Sequence, residues 1–395
     1  MSSLNMKGKA VLGAIGVTAL MVSGYSAQAA EKLSGRWVKI GVMVPLTGKG
    51  AEWGSTAKLA SEIAAKEIND AGGIGGVKIR LVTYDTHAKE AEGINIINKL
   101  AVRDKVLAVS GPCFSSVVEI IYPMLNKLQV PTISYCSAKP GLSALSKWGF
   151  RNSLTSDKQL SPVVAAWTKA YKVKSVVIIH DLEDAVSKAE GAKILPVLFK
   201  KNGVKVLELL TYRTKDTDYS VQITKAKALN PDGIGLGSCY QQAAGIVKEM
   251  RRQGMKQPVV GGACAGAPGF ITIGGKATEG SYMSTAAWTD DPRAKVQSFV
   301  KKMLAANGNK SFPYSGQRAY DNMYILKQII EKNGVTNRSA DLAKDRDRVR
   351  QGWADLKGYD GVSGVIAMDK VGDGAAVGAR VLKVEGGKFV DVSAK

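Results

Sequence analysis

From Trp37 onward, short apolar runs alternate with longer amphipathic ones. "VKIGVMVPL" predicts a buried strand. "STAKLASEIAAKEINDAGG" predicts a helix, with Ala, Leu and Ile recurring every three or four residues and "AGG" as its stop. Strand "VKIRLVTYD", helix "AEGINIINKLAVRD", strand "VLAVSG", helix "SSVVEIIYPMLNKL" and strand "VPTISYC" follow. A second series of the same layout begins near Ser156, with "QLSPVVAAWTKAY", "SVVIIHD", "EGAKILPVLFKKNG", "KVLELLTY", "VQITKAKALN", "DGIGLGS", "QAAGIVKEMRRQG" and "PVVGGA". Strand–helix alternation implies parallel sheets with helices on both faces, so the expected fold class is α/β, with two doubly wound parallel-sheet lobes. After "GSYMSTAAW" comes a long helical region that the pattern assigns to neither lobe. The tail "GVIAMDKVGDGAAVGARVLKVEGGKFVDV" predicts a hairpin or meander turning at Gly-Asp-Gly.

The first residues follow a different pattern. A basic "MSSLNMKGK", an uncharged apolar run Ala10–Gly24 and the small residues of "AQA" form an export signal, 1–29, with cleavage expected after Ala29. The run is short for a span of about 20 residues, so a soluble, periplasmic mature protein is expected. Its 395 residues allow two domains. The net charge of +21 raises nucleic acid as a partner, and loss of Lys7 and Lys9 with the leader lowers it by only two units. Yet the basic residues are dispersed and "KDRDRVR" mixes signs, so no nucleic-acid arm is expected. Such a surface attracts small anions or an acidic partner.

Open parallel sheets bind ligands beyond the carboxyl ends of their strands. In the first series those ends carry "PLTGKGAEWG" with Thr47, Glu52 and Trp53, then "YDTH", "GPCFSS" and "YCSAKPG". In the second they carry "HDLEDA", "GSCYQQ" and "GGACAGA". Small residues, hydroxyls and rings suit a pocket with close backbone approach and a few hydrogen bonds. Catalysis is not expected. A Ser115 or Cys113 nucleophile needs a base, the chain has only His87 and His180, and no G-x-S-x-G elbow occurs. "GGIGG" precedes a strand and "GKGAEWGST" lacks Gly-Lys-Ser/Thr, so no nucleotide or other cofactor is expected. The free N–H groups of a helix starting at Ser115-Ser116 suit a carboxylate as well as a phosphate. Cys113, Cys136, Cys239 and Cys264 all fall in strand-end loops. Three pairings are possible, 113–136 and 239–264 being natural for neighbouring strands, and free buried thiols remain the alternative. With no C-x-x-C, no metal site is expected.

Several of these segments stand in a familiar order: "VKIGVMVPLTGKGAEWG", "AAKEINDAGGIGGVKIRLVTYD", "GPCFSS", "VPTISYCSAKPGLS" and "RQGMKQPVVGG…ATEGSYMST". Across 37–395 the chain resembles the periplasmic solute-binding proteins of branched-chain-amino-acid (hydrophobic amino acid uptake) ABC importers, which have the type I periplasmic binding fold. The resemblance implies an N-terminal lobe of 36–155 plus about 288–359, a C-terminal lobe of 156–287 plus about 360–395, and three crossovers as a hinge. It further implies a monomer that carries a small amino-acid-like or aromatic carboxylate in the cleft between the lobes and delivers it to a membrane permease. A sensor of the same fold is the alternative, and a secreted Ser/Cys hydrolase a distant third. Carried over residue by residue, Ser115 holds the ligand carboxylate, flanked by Phe114 and Ser116. Cys136, Ser137 and Ala138 form the next loop, Trp53 supplies a ring, and Tyr240 is an aromatic of the second lobe. Two departures stand out. The Tyr-Gly expected after "HD" is missing, and Ala263 replaces the second-lobe acid that meets a ligand ammonium, leaving Asp184 or Glu183 to compensate.

Overall fold

The computed structural model describes residues 33–374 and 378–393, so the export signal expected at 1–29 lies outside the described residues. The first lobe begins with β1 (Trp37–Val44), α1 (Ala51–Asp70), β2 (Lys78–Asp85), α2 (Glu90–Asn98), β3 (Ala108–Ser110), α3 (Ser115–Leu128), β4 (Thr132–Ser134) and β5 (Gly149–Arg151). Its sheet is parallel in the order β2-β1-β3-β4-β5. The order reverses between β1 and β3, and at such a point two loops diverge and leave a crevice.

The second lobe repeats the scheme with α4 (Ser156–Tyr171), β6 (Ser175–Asp181), α5 (Ala185–Ala189), α6 (Leu195–Lys201), β7 (Lys205–Tyr212), α7 (Ser220–Ala228), β8 (Gly233–Gly237), α8 (Tyr240–Arg252), β9 (Val259–Gly261), α9 (Pro268–Gly274) and β10 (Tyr282–Thr285). Strands β7-β6-β8-β9-β10 are parallel and have their own crevice between β6 and β8. The central strands β1, β6, β8 and β9 are almost wholly buried, which explains their continuous apolar runs.

The remaining chain forms α10 (Ala294–Ala306), α11 (Ser315–Lys332), α12 (Leu342–Ala354), β11 (Tyr359–Gly361), β12 (Gly364–Ile366), β13 (Arg380–Glu385) and β14 (Lys388–Asp391). The strand–helix pattern alone left α10 and α11 unassigned; α11 packs along α1, on the first lobe. β13 joins the second sheet antiparallel to β10, with β14 outside it. The tail therefore makes two hairpins, β11–β12 and β13–β14. The turn of the second is not Gly-Asp-Gly, as expected, but Gly386-Gly387, both at positive φ. Two successive residues in that region suit a tight hairpin turn. Gly372-Asp373-Gly374 instead runs beside β5, where Gly372 O accepts from Arg151 N and Asp373 pairs with the Arg151 guanidinium at 2.6 Å.

The polar start of α11 holds three segments that run between the sheets. Arg318, 1% exposed, donates to Asn152 O and, at 2.7 Å, to Ala286 O. Gln317 Nε2 donates to Trp288 O at 3.1 Å. The Asp321 carboxylate accepts from Val362 N, Ser363 N and Ser363 Oγ. One buried helix turn thus meets the chain near residues 152, 286–288 and 362.

Candidate functional site

The first-lobe wall of the cleft starts from "GPCFSS". Gly111 has φ +119°, and a Cβ there would lie 2.2 Å from Met43 O, so only glycine lets β3 turn out this closely past β1. The chain then enters α3, whose first backbone bond runs from Val118 N to Phe114 O. Phe114, the residue before the helix, has no side-chain oxygen with which to cap it. The N–H groups of the first turn therefore receive no side-chain cap, and the positive end of the helix dipole lies there.

Ser115 is buried, and its Oγ accepts from Ala138 N and Lys139 N, each at 3.2 Å. Two N–H donors occupy its lone pairs, so the hydroxyl proton is left to donate. The loop after β4 is held just as firmly. Ser134 Oγ donates to Pro112 O and accepts from Ser137 N. Arg151 donates to Lys139 O at 2.8 Å and Ser137 O at 3.3 Å. Cys113 pairs with Cys136, at a Cα–Cα distance of 4.9 Å, and joins the two loops covalently. In the second lobe Cys239 pairs with Cys264, at 4.5 Å, joining the loops after β8 and β9.

These loops line a cavity together with Trp53, Cys113, Phe114, Ser115, Cys136, Ser137, Ala138, Val186, Cys264 and Tyr314. The Trp53 ring meets Tyr314 edge-on at 5.0 Å, and Ser315 Oγ donates to Trp53 O. The Tyr314 hydroxyl reaches Cys136 O at 3.4 Å, and burial pushes its pKa well above the usual phenol value. Among the described residues that line the cavity, none is charged.

Six of the expected ligand residues therefore lie together on the wall: Trp53, Phe114, Ser115, Cys136, Ser137 and Ala138. The other four lie beside it. Ser116 sits one position along α3, with its hydroxyl buried. Asp184 caps α5 through Oδ1, which accepts from Ser187 N and Oγ, and it is Val186, two residues on, that reaches the wall. Tyr240 starts α8 with its ring against Gly269, and Ala263 is buried next to the lining Cys264. Tyr314 went unnoticed in the sequence because it precedes a helix about 180 residues away from the loops it meets. Val186 was hidden because nothing marks one valine in "EDAVSK" as facing a cleft.

Two carboxyls, one half-buried and one wholly buried, stand near the cavity. Glu52, on α1, lies against the Gly269 backbone N–H at the start of α9 and beside Tyr240, so it bridges the lobes. Desolvation pushes its pKa up to about 7, opposed by that N–H. Glu190, wholly buried behind Gly262, is pushed up to about 8 by desolvation, with Asp184 adding to the rise. Cys113 is in a disulfide, His87 Nδ1 bonds Thr47 Oγ1, and His180 Nδ1 bonds Asp181 O.

Each disulfide closes a loop, with 23 residues of separation in one and 25 in the other. Loop-closure entropy gives about 3 kcal/mol of stability for each. The double substitution Cys113→Ala/Cys136→Ala is thus expected to lower the unfolding free energy by about that amount. Urea titration under oxidising conditions, with the parent protein in parallel, measures it; equal midpoints would contradict it.

Two similar α/β lobes closing an uncharged cavity between their strand-end loops describe a two-lobed solute-binding protein. The chain belongs to the periplasmic binding protein family, whose profile matches residues 37–388. A "Leu/Ile/Val-binding protein homolog 3" of Brucella melitensis is 27% identical over 361 residues, covering 89% of this chain and 93% of that one. A leucine-binding protein of Thermotoga maritima superposes with a TM-score of 0.81 at 25% identity, covering 90% of this chain and 97% of that one. An ABC-transporter solute-binding protein of R. palustris in complex with benzoate gives 0.79 at 19% identity, covering 90% and 95%. The family and these neighbours are solute-binding proteins and not enzymes.

Proposed function

We propose that this protein is the extracytoplasmic solute-binding component of an ABC importer. Exported to the periplasm, it takes up a small carboxylate between its lobes and presents it to a membrane permease. The observation that carries the carboxylate is the convergence of donors at the start of α3: the Ser115 hydroxyl, whose lone pairs are already occupied, and the uncapped first-turn N–H groups. The Leu/Ile/Val of the Brucella relative's name are themselves carboxylates. The segments near residues 152, 286–288 and 362 serve as the hinge, between lobes of 36–155 plus 288–359 and 156–287 plus 360–395. Closure draws on solute contacts to both lobes, because a ligand bound equally well by the open and closed forms shifts nothing.

Replacing Ser115 by alanine removes one charge-assisted hydrogen bond from the solute. Affinity is expected to fall about tenfold to a hundredfold, by titration calorimetry. Circular dichroism is expected to remain that of the parent. Unchanged affinity would take Ser115 out of the site.

A further inference from the structure

The charge of the cavity wall, rather than its shape, narrows the solute. An α-amino acid brings an ammonium as well as a carboxylate, and an ammonium enclosed without an anionic partner is strongly disfavoured. No described lining residue carries a charge. Two of the nearby acids are also engaged. Asp184 turns Oδ1 to the start of its own helix, and Glu52 faces Gly269 across the cleft. Glu190 lies wholly buried behind Gly262, where desolvation favours its neutral form at pH 7.

What the wall does offer is apolar. Trp53, Phe114 and Tyr314 present rings, Val186 and Ala138 aliphatic surface, and disulfide sulfurs stand on both lobes through Cys113, Cys136 and Cys264. Sulfur against an aromatic edge is a favourable contact, and rings stack on rings. We infer that the solute is a monocarboxylate with an apolar, ring-sized body and no ammonium group, held with its carboxylate at α3 and its body among these rings and disulfides. This inference rests on the carboxylate reading above and sharpens it.

The test is two matched pairs that differ only in the amino group, 3-phenylpropanoate with phenylalanine and 4-methylpentanoate with leucine, accompanied by benzoate. Each is titrated calorimetrically into the full mature protein after unfolding and refolding to remove any retained ligand. The acids lacking the amino group are expected to bind about a hundredfold more tightly, or better, than their amino-acid counterparts. Phenylalanine or leucine binding within tenfold of its counterpart would overturn the inference and leave the carboxylate reading standing. Failure of every carboxylate in the set, with or without the amino group, would overturn both.

Discussion

Replacing Arg318 by leucine is expected to lower the unfolding free energy by about 3–5 kcal/mol, the usual cost of removing one member of a buried charged cluster. Arg318 is 1% exposed and donates to carbonyls of two of the three segments between the lobes, Asn152 O and Ala286 O. Burial raises the pKa of Asp321 and the Arg318 charge opposes that rise, while the Asp321 carboxyl holds the third segment through Val362 and Ser363. The leucine would fill much of the volume but leave two carbonyls unpaired and Asp321 without its neighbouring cation. Urea unfolding at 25 °C reads the difference directly. A loss below about 1 kcal/mol would mean that the three segments are held by packing alone.

Solute affinity is expected to rise as pH falls from about 8 towards 5, and Glu52→Gln is expected to flatten the dependence. Where the lobes meet, desolvation raises the Glu52 carboxyl from an ordinary 4.5 to about 7. It faces Gly269 N–H on α9 and Tyr240 on α8, and among the described residues no basic side chain forms an ion pair with it. With the lobes apart, the carboxyl is hydrated and titrates near its ordinary value. The group's pKa is thus higher in the closed form, so closure takes up a proton. The gain is fully present below the open-form value near 4.5 and is lost as pH rises through about 7. Between those limits affinity approaches a tenfold change per pH unit. Calorimetry from pH 5.5 to 8.5, in two buffers of different ionisation enthalpy, measures both affinity and proton uptake. A flat profile with no proton uptake would show that Glu52 is not desolvated on closure.

Much of the fold was legible because the strands are buried on both sides. Continuous apolar runs such as "SVVIIH" mark a parallel sheet regardless of what packs around it. β5 escaped because its three residues, Gly149–Arg151, make no run, and its edge position depends on β4 and on Asp373 far along the chain. The β13–β14 turn was misplaced because "GDG" and "EGG" carry the same turn chemistry, and only pairing with β10 chooses between them.

The cleft divides in the same way. Six wall residues were readable from strand ends, since the switch point of an α/β sheet places the loops after β1 and β3 side by side, and the loop after β4 joins them through the pairing of β4 with β3. The second-lobe wall was read less well: Val186 and Cys264 reach the cavity where Asp184 and Ala263 were expected. A helix start such as that of α5 fixes which side chain faces the cleft, and a shift of two residues changes it. The buried stripe Gln317, Arg318, Asp321 and Asn322 looks in sequence like a solvated helix face. Polar residues at helical spacing give the same pattern whether they meet water or three strands of backbone.

A crystal structure of the protein bound to the tightest-binding acid of the matched set tests the central claim most directly. The account predicts the solute between the lobes, with a carboxylate oxygen within hydrogen-bond distance of Ser115 Oγ and of the first-turn N–H groups of α3, and with its body against Trp53, Tyr314 and Cys264. A solute bound outside this cavity, or one whose carboxylate points away from α3, would contradict it.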